Sequence, residues 1–148
     1  MNLEVELSTL RKSILRHEGI DVDTLFADAL FYAKLNQPVE LKTMGGFLGE
    51  RGLDFPDEAN ETLESITILT NRDMVYGASA IMYYKKPKEF YMLPSSVHEL
   101  LLMPATQVPN EHELTEMVKA VNATAVAPQD VLAYHAYHYI NGEFKIIE

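Results

Sequence analysis

The chain has 148 residues, enough for one domain with a buried core, and no cysteine, which excludes disulfide frameworks, cysteine-ligated zinc and thiol catalysis. Its 22 acidic and 12 basic residues leave a formal net charge of −10. Because so acidic a chain repels phosphate backbones, we expect no direct binding to nucleic acid. Residues 1–20 contain no apolar run of signal-peptide length, so we expect a cytoplasmic protein without a membrane span.

Residues 1–36 are predicted to form a helical hairpin. The first helix has an apolar stripe at spacings of three and four residues, formed by Leu3, Leu7, Leu10 and Ile14. Asp21 or Asp23 can cap the second helix, and Pro38 would end it. Residues 37–64 contain four glycines and no sustained apolar period, and they are predicted to be an irregular connector, with a short solvated helix as one option in the acidic stretch DEANETLE, residues 57–64.

Residues 65–148 have the pattern of a meandering antiparallel sheet of five to six strands. Strands are expected in short β-branched or aromatic runs, at residues 65–70, 75–84, 89–93 and 97–103. One main helix, at residues 110–122, is predicted to pack on this sheet, and Asn141-Gly142 predicts a hairpin close to residue 148. Together these patterns predict a single α+β domain over residues 1–148.

The stretch LPSSVHELLLMP, residues 93–104, places two serines, a histidine and a glutamate close together. In acyl-transfer chemistry Ser95 or Ser96 would be the nucleophile, His98 its base and Glu99 the group that orients the base. In a strand, however, His98 and Glu99 would point to opposite faces, and in a helix Ser96 and Glu99 would form a capping box. These four residues remain candidates for a catalytic site, but we prefer a turn between two strands.

His135 and His138 are the candidate metal ligands. They would share one face of a helix, but on a strand they would point to opposite faces, and their aromatic surroundings favour a strand. Neither belongs to a His-Glu-x-x-His spacing, so His98 or His112 would have to join one of them in the folded chain. We therefore expect no metal and no cofactor.

Three segments carry a resemblance to a known family: LTNRDMVYGASAIMY, FYMLPSSVHELLLMPA and MVKAVNATAVAPQDVLAYHAYHY. In this order they resemble a family of uncharacterised proteins of Gram-positive gut bacteria, a domain of unknown function, over about residues 63–139. The resemblance implies a bacterial cytosolic origin, with encoding on a mobile element as one option. It carries over no activity, cofactor or site residue, and for residues 1–60 we expect no likeness to the family.

We predict a non-enzymatic, acidic protein-binding or regulatory module, with a nucleic-acid-binding protein as the specific partner class. The basis is the net charge of −10 together with the lack of a catalytic spacing. Tyrosines left on an outer face of the sheet would mark the partner surface; the strand-forming tyrosines are Tyr83, Tyr84, Tyr91, Tyr134, Tyr137 and Tyr139. A homo-oligomer is left open. The alternative is a small hydrolase or metal-dependent enzyme built around Ser95, Ser96, His98 and Glu99.

Overall fold

A computed structural model describes residues 19–53, 56–108 and 110–148. The chain separates into two compact units, Met1–Asn36 and Gln37–Glu148, and each is described by itself. The prediction of one domain over residues 1–148 stays a prediction. No helix in the described ranges is both long enough and apolar enough to cross a membrane.

In the first unit the structure describes one helix, α1, over Val22–Asn36. Asp21 caps it, because the backbone N–H of Thr24 donates to Asp21 Oδ1 at 2.9 Å and the Thr24 hydroxyl donates to Oδ2 at 2.5 Å. The hydrogen bond from the Thr24 side chain lowers the pKa of the Asp21 carboxyl. α1 lies where the second helix of the hairpin was predicted. The first helix falls on residues outside the described ranges, so the hairpin stays a prediction.

The second unit is built on a six-stranded, fully antiparallel sheet, which confirms the α+β class and the predicted strand number. The strands are β1 (Val39–Thr43), β2 (Thr67–Asn71), β3 (Glu89–Pro94), β4 (Leu100–Pro104), β5 (Ala136–Ile140) and β6 (Glu143–Ile147). Their order in the sheet is β1-β2-β4-β3-β5-β6. The prediction of a meander is therefore wrong in part, since β2 pairs with β4 and β3 pairs with β5.

Three α-helices accompany the strands in the second unit: α2 (Met44–Gly49), α3 (Asp57–Ser65) and α4 (His112–Thr124). The main helix predicted at residues 110–122 is observed as α4, two residues later. The irregular connector predicted at residues 37–64 is wrong over β1 and α2, whereas the short helix considered for residues 57–64 is confirmed as α3. α2 forms in a glycine-rich stretch because the Thr43 hydroxyl accepts the Gly46 N–H at 3.1 Å and so caps the helix.

The strand predicted at residues 75–84 is also wrong, since the chain forms a 3₁₀ helix at Gly77–Met82. The buried Asn71 side chain folds the preceding loop back on itself: its amide donates to the carbonyl oxygen of Val75 at 2.8 Å and its Oδ1 accepts the Val75 N–H at 3.2 Å. Met74 and Tyr76 then adopt positive φ angles of 53° and 52°. A strand cannot continue through left-handed residues, and β-propensity alone does not reveal them.

The two faces of the sheet are covered to different extents. On the helix face, α4 packs on the strands; this core consists of Tyr91, Leu93, Met103, Leu114, Val118, Ala136 and Ile147. The opposite face is here named the open face. The 3₁₀ helix packs against it, and the core on this side consists of Leu69, Ala78, Ala80, Phe90, Leu100 and Leu102. The alternation of side chains along each strand decides which face each residue joins.

Candidate functional site

The candidate catalytic stretch forms the turn between β3 and β4, as the preferred interpretation predicts. The Ser96 N–H donates to the carbonyl oxygen of Glu99 at 3.2 Å, and the Ser96 hydroxyl accepts the His98 N–H at 3.1 Å. The Ser95 hydroxyl donates to Glu99 Oε1 at 3.3 Å. Both serine hydroxyls are therefore engaged in contacts that hold the turn itself.

The imidazole ring of His98 contacts other residues than the two serines. Its Nδ1 accepts the backbone N–H of Tyr76 at 3.1 Å, and its Nε2 lies 3.6 Å from Asp130 Oδ1. Since Nδ1 accepts a hydrogen bond, the proton of the neutral ring is on Nε2 and faces Asp130. No hydrogen bond joins the ring to Ser95 or Ser96 within this described turn. The hydrolase alternative thus stays a prediction that this arrangement does not support.

The turn instead belongs to a junction of three loops, here named the loop junction, formed by residues 70–78, 95–99 and 128–130. The Thr70 hydroxyl donates to the carbonyl oxygen of His98 at 2.9 Å. The Ala78 N–H donates to the carbonyl oxygen of Val97 at 3.2 Å, and the Val97 N–H donates to the carbonyl oxygen of Asp130 at 2.9 Å. These bonds satisfy backbone groups that lie in loops and have no partner in the sheet. The close packing of the three loops is therefore explained by the hydrogen bonds that it allows.

The two candidate metal ligands occupy different surroundings. His138 lies on β5, on the helix face, where its Nε2 is 2.9 Å from Glu89 Oε1 and its ring stacks on Tyr91 with centroids 4.4 Å apart. His135 is exposed and precedes the strand. Among the described residues, no group of three histidine, aspartate or glutamate side chains could hold a metal ion. His135 and His138 stay candidate ligands without geometric support.

Tyr91 adds a second polar contact to the helix face. Its hydroxyl donates to Glu111 Oε2 at 3.1 Å. Tyr91 is otherwise buried, with 8% of its surface exposed. Burial raises the pKa of the Tyr91 hydroxyl, and the hydrogen bond to Glu111 and the charges of Glu111 and Glu89 raise it further. Tyr91 is therefore a neutral donor in the physiological range, which suits a structural bond better than proton transfer.

An apolar cavity of about 370 Å³ opens on the open face of the sheet. Its floor and walls come from β3, β4 and the 3₁₀ helix; the lining residues are Tyr76, Ala78, Ser79, Ile81, Met82, Met92, Val97, Leu100 and Leu132. At its rim, Tyr76, Met82 and Leu132 are 66%, 50% and 47% exposed. This concave apolar surface with an exposed rim has no structural explanation among the described residues, and the sequence patterns do not reveal it.

The apolar surface continues from the cavity toward the last strand. Met92 pairs with Tyr137, which in turn pairs with Ile146, so one row crosses β3, β5 and β6. A parallel row is aromatic: the ring centroids of Phe90 and Tyr139 are 4.9 Å apart, and those of Tyr139 and Phe144 are 4.8 Å apart. Aromatic pairs in offset or tilted contact attract each other beyond the effect of their buried area, so these contacts stabilise the row.

Comparison with known proteins gives a family and nothing closer. No curated protein and no solved structure is significantly similar to the chain. The model of a family of unknown function, DUF5688, matches residues 4–141. The predicted resemblance to a domain of unknown function is confirmed, and the match also covers residues 4–60, where no likeness was expected. The predicted origin in gut bacteria stays a prediction. The chain belongs to DUF5688, a family of unknown function.

Proposed function

We propose that the chain is a non-enzymatic, cytoplasmic protein-binding module that uses the open face of its sheet to hold an apolar side chain of a partner. The observation that carries the proposal is the apolar cavity with its exposed rim of Tyr76, Met82 and Leu132. Contiguous exposed apolar surface on a folded protein often marks an interaction site. Methionine and tyrosine are suited to them, since methionine adapts its shape and tyrosine offers a rigid, amphipathic ring.

The charge of the chain favours a basic partner. A net charge of −10 attracts a positively charged surface over distance and repels an acidic one. Basic surfaces are typical of nucleic-acid-binding proteins, and we propose this partner class. The apolar cavity would then supply affinity, while the charge would raise the rate of encounter and exclude wrong partners.

Affinity capture with matched variants tests the proposal. The full chain, M82E and M117E serve as baits in a lysate of the source organism at physiological ionic strength. Met82 is 50% exposed at the cavity rim, and Met117 is 47% exposed on α4, so the two substitutions add the same charge at equal exposure. We expect a basic protein to be retained by the full chain and by M117E and lost from M82E. No retained protein, or equal retention by M82E, contradicts the proposal.

The enzyme alternative makes a different prediction. A fluorophosphonate probe would label Ser95 or Ser96 if either were an activated nucleophile, and elemental analysis of the purified chain would detect a bound metal. We expect neither, because both hydroxyls hold the turn and the His98 ring contacts Tyr76 and Asp130. Labelling that disappears in S95A or S96A would replace the binding proposal with a hydrolase.

A further inference from the structure

The strand β6 forms an edge of the sheet with an unusual surface. Among the described residues it pairs only with β5, and the other edge of the sheet is β1. On the open face of β6, Phe144 and Ile146 are 40% and 60% exposed. On the helix face, Glu143 and Lys145 are exposed, and neither forms an ion pair with another described residue. An edge strand with exposed apolar side chains is a template for another strand.

The hairpin that ends in β6 determines which backbone groups are free. Asn141 and Gly142 have φ angles of 55° and 89°, which is the conformation of a two-residue type I′ turn. Such a turn closes with a hydrogen bond between Ile140 and Glu143, and bonded pairs then alternate along the ladder. The backbone groups of Glu143 and Lys145 therefore face β5, and those of Phe144 and Ile146 point outward.

The charge pattern of β6 is complementary to itself. In an antiparallel pair of two β6 strands with the two-fold axis at Phe144, Phe144 faces its own copy through outward-pointing backbone groups. Glu143 then lies opposite Lys145 of the second copy, and Lys145 lies opposite its Glu143. Opposite charges on facing strands attract, and like charges repel. The neighbouring register, with the axis at Lys145, would place two lysines opposite each other.

The register also determines what lies beside the turn. It places Ile146 opposite Gly142 of the second copy, and Gly142 carries no side chain that could oppose the approach of Ile146. The aromatic row of Phe90, Tyr139 and Phe144 would continue across the axis into the same row of the second copy. The net charge of −10 opposes association, but at physiological ionic strength charges more than about 8 Å apart are largely screened, whereas the facing pairs are in contact.

We propose that two copies of the chain associate through their β6 strands in an antiparallel pair centred on Phe144. The dimer joins two six-stranded sheets into one continuous sheet and leaves the cavity at Met82 and Leu132 outside the strand pair. The association goes beyond the proposed function, and the cavity variant M82E does not alter its contacts.

Charge exchange at the edge strand tests the proposal by sedimentation velocity over a concentration series of the full chain. The variant E143K carries Lys-Phe-Lys on β6, and K145E carries Glu-Phe-Glu. We expect the full chain to dimerise, each variant alone to dimerise at least tenfold more weakly, and an equimolar mixture of the two to recover the association. The controls E116K and K119E make the same charge changes on α4, where Glu116 and Lys119 pair with each other, and should leave the dimer unchanged.

The outcomes separate the proposal from its competitors. A full chain that is monomeric at every concentration overturns it. A dimer that survives both E143K and K145E lies elsewhere on the surface and also overturns it. Loss of the dimer in both variants without recovery in the mixture would reject the register at Phe144. If the two charges only stabilised the fold of each chain, mixing the variants would not restore the dimer. Circular dichroism checks that each variant is folded.

Discussion

At Gly77 the main chain passes so close to two other segments that a side chain has no room. A Cβ atom built there would lie 2.5 Å from the carbonyl oxygen of His98 and 2.7 Å from the amide nitrogen of Asn71, and it would also contact Thr70. We expect G77A to reduce the free energy of unfolding by about 1–3 kcal/mol, the usual cost of overpacking, because two backbones and a side chain would have to move apart. Chemical denaturation of the unsubstituted chain and of G77A measures this difference in the free energy of unfolding.

The matched control for this substitution is G49A. Gly49 ends α2, and a Cβ atom there would meet nothing within 4 Å. Alanine restricts the unfolded chain more than glycine does, so G49A should be neutral or stabilise by about 0.4–1 kcal/mol. Equal destabilisation by both substitutions would mean that the crowding at Gly77 does not set the cost.

Single residues also show where sequence reasoning stops. The sequence indicates His98 as a chemically capable residue, and its spacing to Ser96 and Glu99 correctly favours a turn. It does not indicate Tyr76 and Asp130, which contact the two ring nitrogens from segments 22 and 32 positions away in the sequence. Tyr76 bonds the ring through its backbone N–H, which carries no residue-specific signal, and Asp130 reaches the ring only because the fold brings its distant segment to the loop junction.

Thr115 joins α4 to the final hairpin. It is buried, its hydroxyl donates to the carbonyl oxygen of Ile147 at 2.7 Å, and it accepts the N–H of Ala136 at 3.1 Å. T115V preserves the shape but leaves both backbone groups unsatisfied, so we expect a loss of about 2 kcal/mol in the free energy of unfolding. T115S keeps the hydroxyl and should lose less. If thermal denaturation shows equal losses for the two variants, the hydroxyl does not hold the helix on the sheet.

The elements that the sequence predicts are those with a strong local signal. α4 has an apolar stripe that includes Leu114 and Val118, and the final hairpin has Asn141-Gly142, so both were found. β1, by contrast, is a short strand at an edge of the sheet in a stretch that otherwise looks irregular. It exists because it pairs with β2 over five residue pairs, from Val39 opposite Asn71 to Thr43 opposite Thr67. Such a partner, distant along the chain, leaves no local pattern.

The sheet as a whole predicts a gradient of local stability. β2 and β4 lie inside the sheet and contain its most buried residues, such as Leu69 and Leu100, whereas β6 is an exposed edge. We expect hydrogen exchange followed by mass spectrometry to show the slowest exchange in β2 and β4 and the fastest strand exchange in β6 at low protein concentration. Protection of β6 equal to that of β4 in a monomeric sample would contradict the gradient.

At the scale of the molecule, the sequence by itself determined the α+β class, the second half rich in strands, the main helix, the acidic charge and the family resemblance. These follow from composition, local periodicity and turn chemistry, which act over a few residues. Only the tertiary structure decided the strand order, the loop junction and the apolar cavity at Met82, Met92 and Leu132. These features depend on pairing and packing between residues far apart in the chain, and local patterns do not encode such pairings.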